Sequence, residues 1–214
     1  TFLNHIISFF TFLSFLLIGI NAYKDYGISF DEYYHRENGL LYYYFLKGLF
    51  FNLELTEKVS ISDIKYAIQD VPFTMPAIFD MIAEFYIDIK NITSTNDAYF
   101  VRHFLNFLFF LASCYFFYLI LLRIFKNQII SYLGLFFIFF SPRIFAESFY
   151  NNKDLVFLSV TIVYVFFSIK FFEKMNYKNA FLFGIFSALA LVIRIPALIY
   201  IFVTYLFFFL QSLD

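Results

Sequence analysis

The chain has 214 residues, 62% of them apolar, 26% aromatic and only 14% charged, with a formal net charge of −1 and a mean hydropathy of +0.76. Ordinary globular chains carry about 45–50% apolar and about 25% charged residues, so a water-soluble core could not be covered here, and disorder, collagen-like repeats and disulfide scaffolds are excluded by the same balance. The composition predicts a polytopic, multi-pass membrane protein, with membrane lipids as neighbours and no basic tract for nucleic acid, and the apolar runs below predict an all-α transmembrane bundle of about six spans.

The first apolar run covers residues 6–20 and is followed by a long polar segment, 21–99, read as an external loop. That loop holds twelve of the sixteen acidic and six of the fifteen basic residues, a formal −6 (six less twelve), against +5 (nine less four) for the rest. Within it, Ser29 and Glu32 have capping-box spacing, predicting a helix from about Phe30. Leu40, Leu41, Tyr44, Phe45 and Leu49 continue at helical spacing towards Phe51, as a helix lying on the membrane surface would. Pro72 and Pro76 flank a turn, and 77–89 reads as a second juxtamembrane helix.

Residues 104–122 form an uncharged run of nineteen residues, close to the roughly 20 that cross a bilayer. Runs at 128–141, 155–169, 179–193 and 197–210 follow. Each is short for an independent span, so backbone covered by protein or by a wet cavity is expected around 141–154. Arg123, Lys126, Lys170, Lys174 and Lys178 fall on one side if every run crosses, and that side is the cytoplasmic one by the positive-inside rule. The loop 21–99, the second external segment 142–154 and the turn at Arg194 then share the opposite face. The chain starts and stops beside apolar runs, as a single membrane domain (1–214) cut from a longer protein would. The lone Cys114 lies in an apolar run and is expected to be a packing residue.

Ionisable groups at the ends of apolar runs are costly and therefore candidates for function. Asp31 and Glu32 sit in the first turn of the predicted surface helix, where a carboxylate can serve the helix dipole or deprotonate a hydroxyl within hydrogen-bond reach. His35 and Arg36 read as interfacial polar residues. Arg102, Arg143, Lys153 and Arg194 fall on the same predicted face, and arginine's planar fork suits phosphate oxygens. Arg143 and Glu147 are also spaced to pair along one helical turn, and Asp154 to cap the next helix. Together the cations predict an anionic, lipid-linked substrate.

At these residues the chain resembles the GT-C class of membrane glycosyltransferases, closest to the protein O-mannosyltransferase and lipid A aminoarabinose transferase type. The resemblance rests on Asp31-Glu32 after the first span, on Arg102 at the mouth of the second, and on Ser-Pro-Arg-Ile-Phe-Ala-Glu-Ser-Phe-Tyr-Asn-Asn-Lys-Asp at 141–154. It covers essentially the whole chain, as the amino-terminal part of such an enzyme. It implies inverting transfer of a sugar from a polyprenyl-phosphate donor to an acceptor hydroxyl on a protein, lipid or glycan outside the membrane. Asp31 would be the base and Glu32 its support. Asp154 would match the second-loop acid, and Arg102 and Arg194 the cations that hold the lipid phosphate. Family members often carry His-Pro late in the first loop; this chain has Met75-Pro76. Some relatives bind a divalent cation through loop acids, but His5, His35 and His103 show no metal-ligand spacing. The alternatives are a transporter or lipid flippase with polar groups near mid-membrane, and a structural subunit that docks a partner on its acidic loop.

Overall fold

A computed structural model describes residues 2–51 and 78–211, and every element among them is helical. In chain order these are α1 (Phe2–Ala22), α2 (Phe30–Phe51), α3 (Ile78–Ile89), α4 (Thr95–Phe125), α5 (Gln128–Phe139), α6 (Pro142–Tyr150), α7 (Asp154–Glu173), α8 (Tyr177–Ile193) and α9 (Ala197–Gln211). The expected turn at Pro72 and Pro76 lies outside the described residues. Of the expected loop 21–99, the residues from Thr95 onward already belong to α4, and the segment 142–154 is the helix α6, a three-residue turn and the first residue of α7.

Among the described residues two helices are long and apolar enough to cross a membrane alone, α4 and α7, with mean hydropathies of 2.1 and 2.2 over their most apolar stretch. The pair α5 and α6, bent by 59°, would make a third. The bend has a local cause: α5 ends at Phe140, and Pro142, which lacks an N–H to continue the ladder, opens α6 at its first turn. The stretch Ile6–Ala22 of α1, and α8 and α9, are shorter apolar helices.

Contacts fix the directions in which the helices run. Phe12 meets Tyr115, and the Tyr23 carbonyl meets His103, so α1 is antiparallel to α4. Ser8 bonds Tyr132 and Phe15 stacks on Phe139 at 3.7 Å, so α1 runs parallel to α5. α4 and α7 are parallel: Phe116 packs on Phe166, and Arg123 pairs with Glu173 near their C-terminal ends. Phe171 stacks on Phe183 and Phe167 on Phe186, setting α8 antiparallel to α7, whereas the bonds Thr161–Tyr200 and Tyr164–Thr204 set α9 parallel to it. Direction therefore alternates along α1, α4, α5–α6, α7, α8 and α9.

The main core is aromatic. Phe15, Phe107, Phe110, Phe139 and Phe149 are all but inaccessible and pack with Cys114, Tyr118, Leu135 and Leu155. Ring pairs such as Phe107–Phe149, stacked at 5.2 Å, join α4 to α6, each worth about 0.5–1.5 kcal/mol beyond its buried area. Residue 19 is glycine where α1 crosses α4, because any Cβ there would collide with the Phe107 ring. Cys114 is a buried packing residue. A second core joins α3 to the bundle: Phe79 and Ala83 pack with Val156, Val160, Ala190 and Ile193. Phe79 also meets Phe109 edge-on, and Lys47 and Tyr43 of α2 both bond Asp88 near the end of α3, at 2.7 and 2.6 Å. These contacts bring the first turns of α2 and α3 over the N-terminal ends of α4 and α7.

Candidate functional site

A cavity of about 350 Å³ opens at this end of the bundle. One wall is the start of α2 (Ser29, Phe30, Asp31, His35); the other is the turn into α7 (Tyr150 to Asp154), with Arg194 closing it from the end of α8. The local folding is legible. Glu32 Oε2 accepts the Ser29 backbone N–H at 2.9 Å, the back-reaching half of a capping box, and this starts α2 with Asp31 on its outer side. Asn151 Oδ1 accepts the Asp154 N–H at 2.8 Å, an Asx cap that starts α7. The Asn106 amide reaches the Glu147 and Phe149 carbonyls, at 3.5 and 3.4 Å, and so ties the end of α6 to α4.

Asp31, Lys153, Asp154 and Arg194, all named from sequence, thus share one cavity. Asp31 is exposed, and neither it nor Lys153 has an ion-pair partner among the described residues. Arg194 Nη1 pairs with Asp154 Oδ1 at 2.6 Å, with both side chains partly exposed. His35, read from sequence as an interfacial polar residue, instead forms part of the cavity wall at 3% exposure. Its pKa is pushed down to about 4, chiefly by burial and then by Lys153 and Arg102, so the ring is neutral at pH 7.

Glu32, Arg102 and Arg143 do not line this cavity. Arg143 points to solvent, 87% exposed, and pairs with Glu147 one turn on. Arg102 is not at an open mouth. It is buried at 1% exposure with its guanidinium held by Asp80 and by Glu84, the latter at 3.1 Å. Glu32 is closed against His103, Oε1 to Nε2 at 3.0 Å, while the other ring nitrogen faces the Tyr23 carbonyl at 3.3 Å. Both imidazole nitrogens therefore face oxygen atoms. Glu32 so fastens the turn that carries Asp31 to α4.

The sequence reading missed this ionic layer under the cavity. Arg36 Nε lies 3.4 Å from Glu84, His35 Nδ1 lies 3.9 Å from Asp80, and the Asn152 amide donates to Asp80 at 2.5 Å. Burial raises the carboxyl pKa of Asp80 to about 6 and that of Glu84 above its usual value, against the opposing pull of Arg102. A signal was present in the sequence. Asp80 and Glu84 are four apart on the same stripe as Phe79, Ala83 and Ile87, so the acids lie on the inward face of α3. Arg102 and Asn106 have the same spacing on α4.

No family model matches this chain. No curated protein and no solved structure is detectably similar to it either. The chemistry of the cavity has to be read from its own groups. Among the described residues no cluster of three or more His, Cys, Asp or Glu side chains is placed to hold a metal ion. What the cavity offers is an accessible carboxylate facing an ammonium and a guanidinium, a set able to take a proton at one wall and hold an anion at the other.

Proposed function

We propose that the protein is a GT-C-like glycosyltransferase that moves a sugar from a polyprenyl-phosphate donor to an acceptor hydroxyl at the external face of the cytoplasmic membrane. The observation that carries the reading is the sharing of one cavity by Asp31, Lys153, Asp154 and Arg194, from α2, α7 and its preceding turn, and the end of α8. That cavity lies at the end of the bundle opposite Arg123, Lys126, Lys170, Lys174 and Lys178, the end that the positive-inside rule assigns to the cytoplasm. Alternating helix direction supports six crossings: α1, α4, the bent α5–α6 pair, α7, α8 and α9.

In this reading Asp31 accepts the proton of the acceptor hydroxyl as its oxygen attacks the anomeric carbon. The bond from that carbon to the phosphate oxygen breaks, and its electron pair leaves with the polyprenyl phosphate. Lys153 and Arg194 hold the growing charge on that leaving group, where fixed cations act most strongly. Attack opposite the leaving group inverts the anomeric centre, and no nucleophilic carboxylate is required. Asp154 keeps Arg194 at the rim through their ion pair, and Glu32 anchors the turn bearing Asp31.

A transporter or flippase would use polar groups near mid-membrane, yet the apolar runs of all six proposed spans carry no charged residue. Radiolabelled polyprenyl-phosphate mannose and aminoarabinose, supplied to proteoliposomes of the full-length protein with a pooled peptide and glycolipid acceptor set, test the reading. Label should pass to an acceptor with the wild-type chain and not with Asp31→Asn. Equal transfer by both proteins rejects the assignment of Asp31, and carriage of label across the bilayer without transfer favours the flippase.

A further inference from the structure

The ionic layer contains a side chain, unused by the transfer chemistry above, that touches both walls of the cavity from beneath. Asp80 Oδ1 accepts from the Asn152 amide at 2.5 Å and from the Arg102 guanidinium, and its Oδ2 faces His35 Nδ1 at 3.9 Å. His35 and Asn152 belong to opposite walls, α2 and the turn before α7, while Asp80 itself is buried and outside the lining. We propose that Asp80 is a positioning residue whose charge state sets the shape of the cavity: ionised, it holds the Asn152 wall by its amide against α2, which is seated on Asp80 at Gly39, and protonated, it lets that wall go. The catalytic consequence rests on the transferase reading; the change of shape does not.

Two features besides these contacts carry the inference. First, α2 reaches Asp80 only because residue 39 is glycine. A Cβ at Gly39 would lie 2.5 Å from the Asp80 Cβ and 3.0 Å from its backbone carbonyl carbon, so neither side could yield without moving α3. The helix is thus seated against the Cβ and backbone of the residue that carries this carboxylate. Second, the charges around Asp80 are closely balanced. From α2 it faces His35, with Arg36 one residue on and paired to Glu84; from its own helix, Glu84; from α4, Arg102; from the turn, Asn152, followed by Lys153. Burial outweighs Arg102 and Asn152 and brings the carboxyl to about 6, so mild acidity neutralises it. A neutral Asp80 leaves Arg102 with Glu84 alone and grips the Asn152 amide less firmly, since bonds to charged acceptors are roughly twice as strong as those to neutral ones.

The chain contains no tryptophan, so Tyr150→Trp puts a single reporter indole at the cavity wall, next to Tyr26. Its emission in the 214-residue chain in nanodiscs, titrated from pH 8 to pH 5, should shift with a midpoint near 6. Adding Asp80→Asn should abolish the transition and give the acid-form spectrum already at pH 8. Adding Gly39→Ala, which leaves every charge in place, should give that spectrum at pH 8 as well. Asn152→Ala should reduce the transition at least twofold while the Asp80–Arg102 pair stays intact, which covers the case of Asp80→Asn failing to fold. Flat emission in the single reporter, or a full transition in the Asp80→Asn or Asn152→Ala background, overturns the proposal. A transition that depends on Asp80, in a protein that transfers sugar from no polyprenyl phosphate, upholds the positioning role and rejects the transferase reading.

Discussion

Asp31 and Glu32 are adjacent in sequence but belong to regions that treat charge in opposite ways. Asp31 stands at an open cavity without an ion-pair partner, facing the same space as Lys153. Glu32, one residue on and turned inward, is matched to His103 and to the Ser29 N–H. The same contrast separates Arg194, partly exposed at the rim, from Arg102, closed between two carboxylates. At the cavity Asp31 and Lys153 stand without an ion-pair partner among the described residues and Arg194 shares one that is itself half-exposed, whereas the charges that the helices close over are matched to one another. Removing one of the latter leaves an uncompensated ion.

The contrast can be broken first at Asp31. Asp31→Asn should lower transfer by about 10²–10⁴-fold, the usual worth of a general base, with an unchanged melting temperature because the side chain is exposed. Arg102→Ala should do the reverse and destabilise the fold by about 3–5 kcal/mol, the cost of leaving buried carboxylates without their partner. Thermal unfolding in detergent measures it, and an unchanged midpoint would show that the layer is wetter than the contacts indicate. Lys153→Ala should raise the KM for a polyprenyl-phosphate donor about tenfold, matching the loss of one charge-assisted bond of about 1.5–3 kcal/mol discounted for exposure, and leave the melt unchanged.

His35 sharpens the comparison through pH. Its folded pKa of about 4 lies below the usual 6.5, so the unfolded chain takes up the proton first as the pH falls. The stability from burying a neutral ring is complete above 6.5 and is lost on descending towards 4. Asp80, with its raised value, has the opposite sign: its ionised form costs stability above about 6, and that cost disappears on acidification. The melting temperature of the wild type should therefore fall relative to His35→Gln between pH 6.5 and 4, most steeply about midway between the two values, the Asp80 contribution being present in both proteins. The smallest effect belongs to Arg143→Ala, which removes an exposed helical pair and should change neither the melting temperature nor transfer measurably. A large loss of transfer there would move the substrate path outward along α6.

Much of this was legible in the sequence. Six apolar runs, the start of α2 at Phe30 and the second juxtamembrane helix follow from periodicity and caps, and the residues gathered at the cavity stand where polar groups interrupt apolar runs. Arg102 was misplaced for a physical reason: position along a helix says how deep a charge lies but not which neighbour closes over it. Its partners, Asp80 and Glu84, come from a helix eighteen or more residues away in sequence. The inward acids of α3 were readable from their stripe, but their pairing depended on how α2 and α3 dock, which Gly39 decides by having no side chain.

The length of α4 has a practical consequence. At 31 residues it measures about 46 Å from end to end, well beyond an oily layer about 30 Å thick, and its surplus at the start, Thr95 to His103, amounts to about 13 Å. In the proposed transferase reading that surplus is a plinth that lifts the chamber of Asp31 to the height of the lipid headgroups, where a water-borne acceptor would be served without dissolving in the bilayer and an isoprenoid carrier would have only to raise its phosphate by the height of one headgroup.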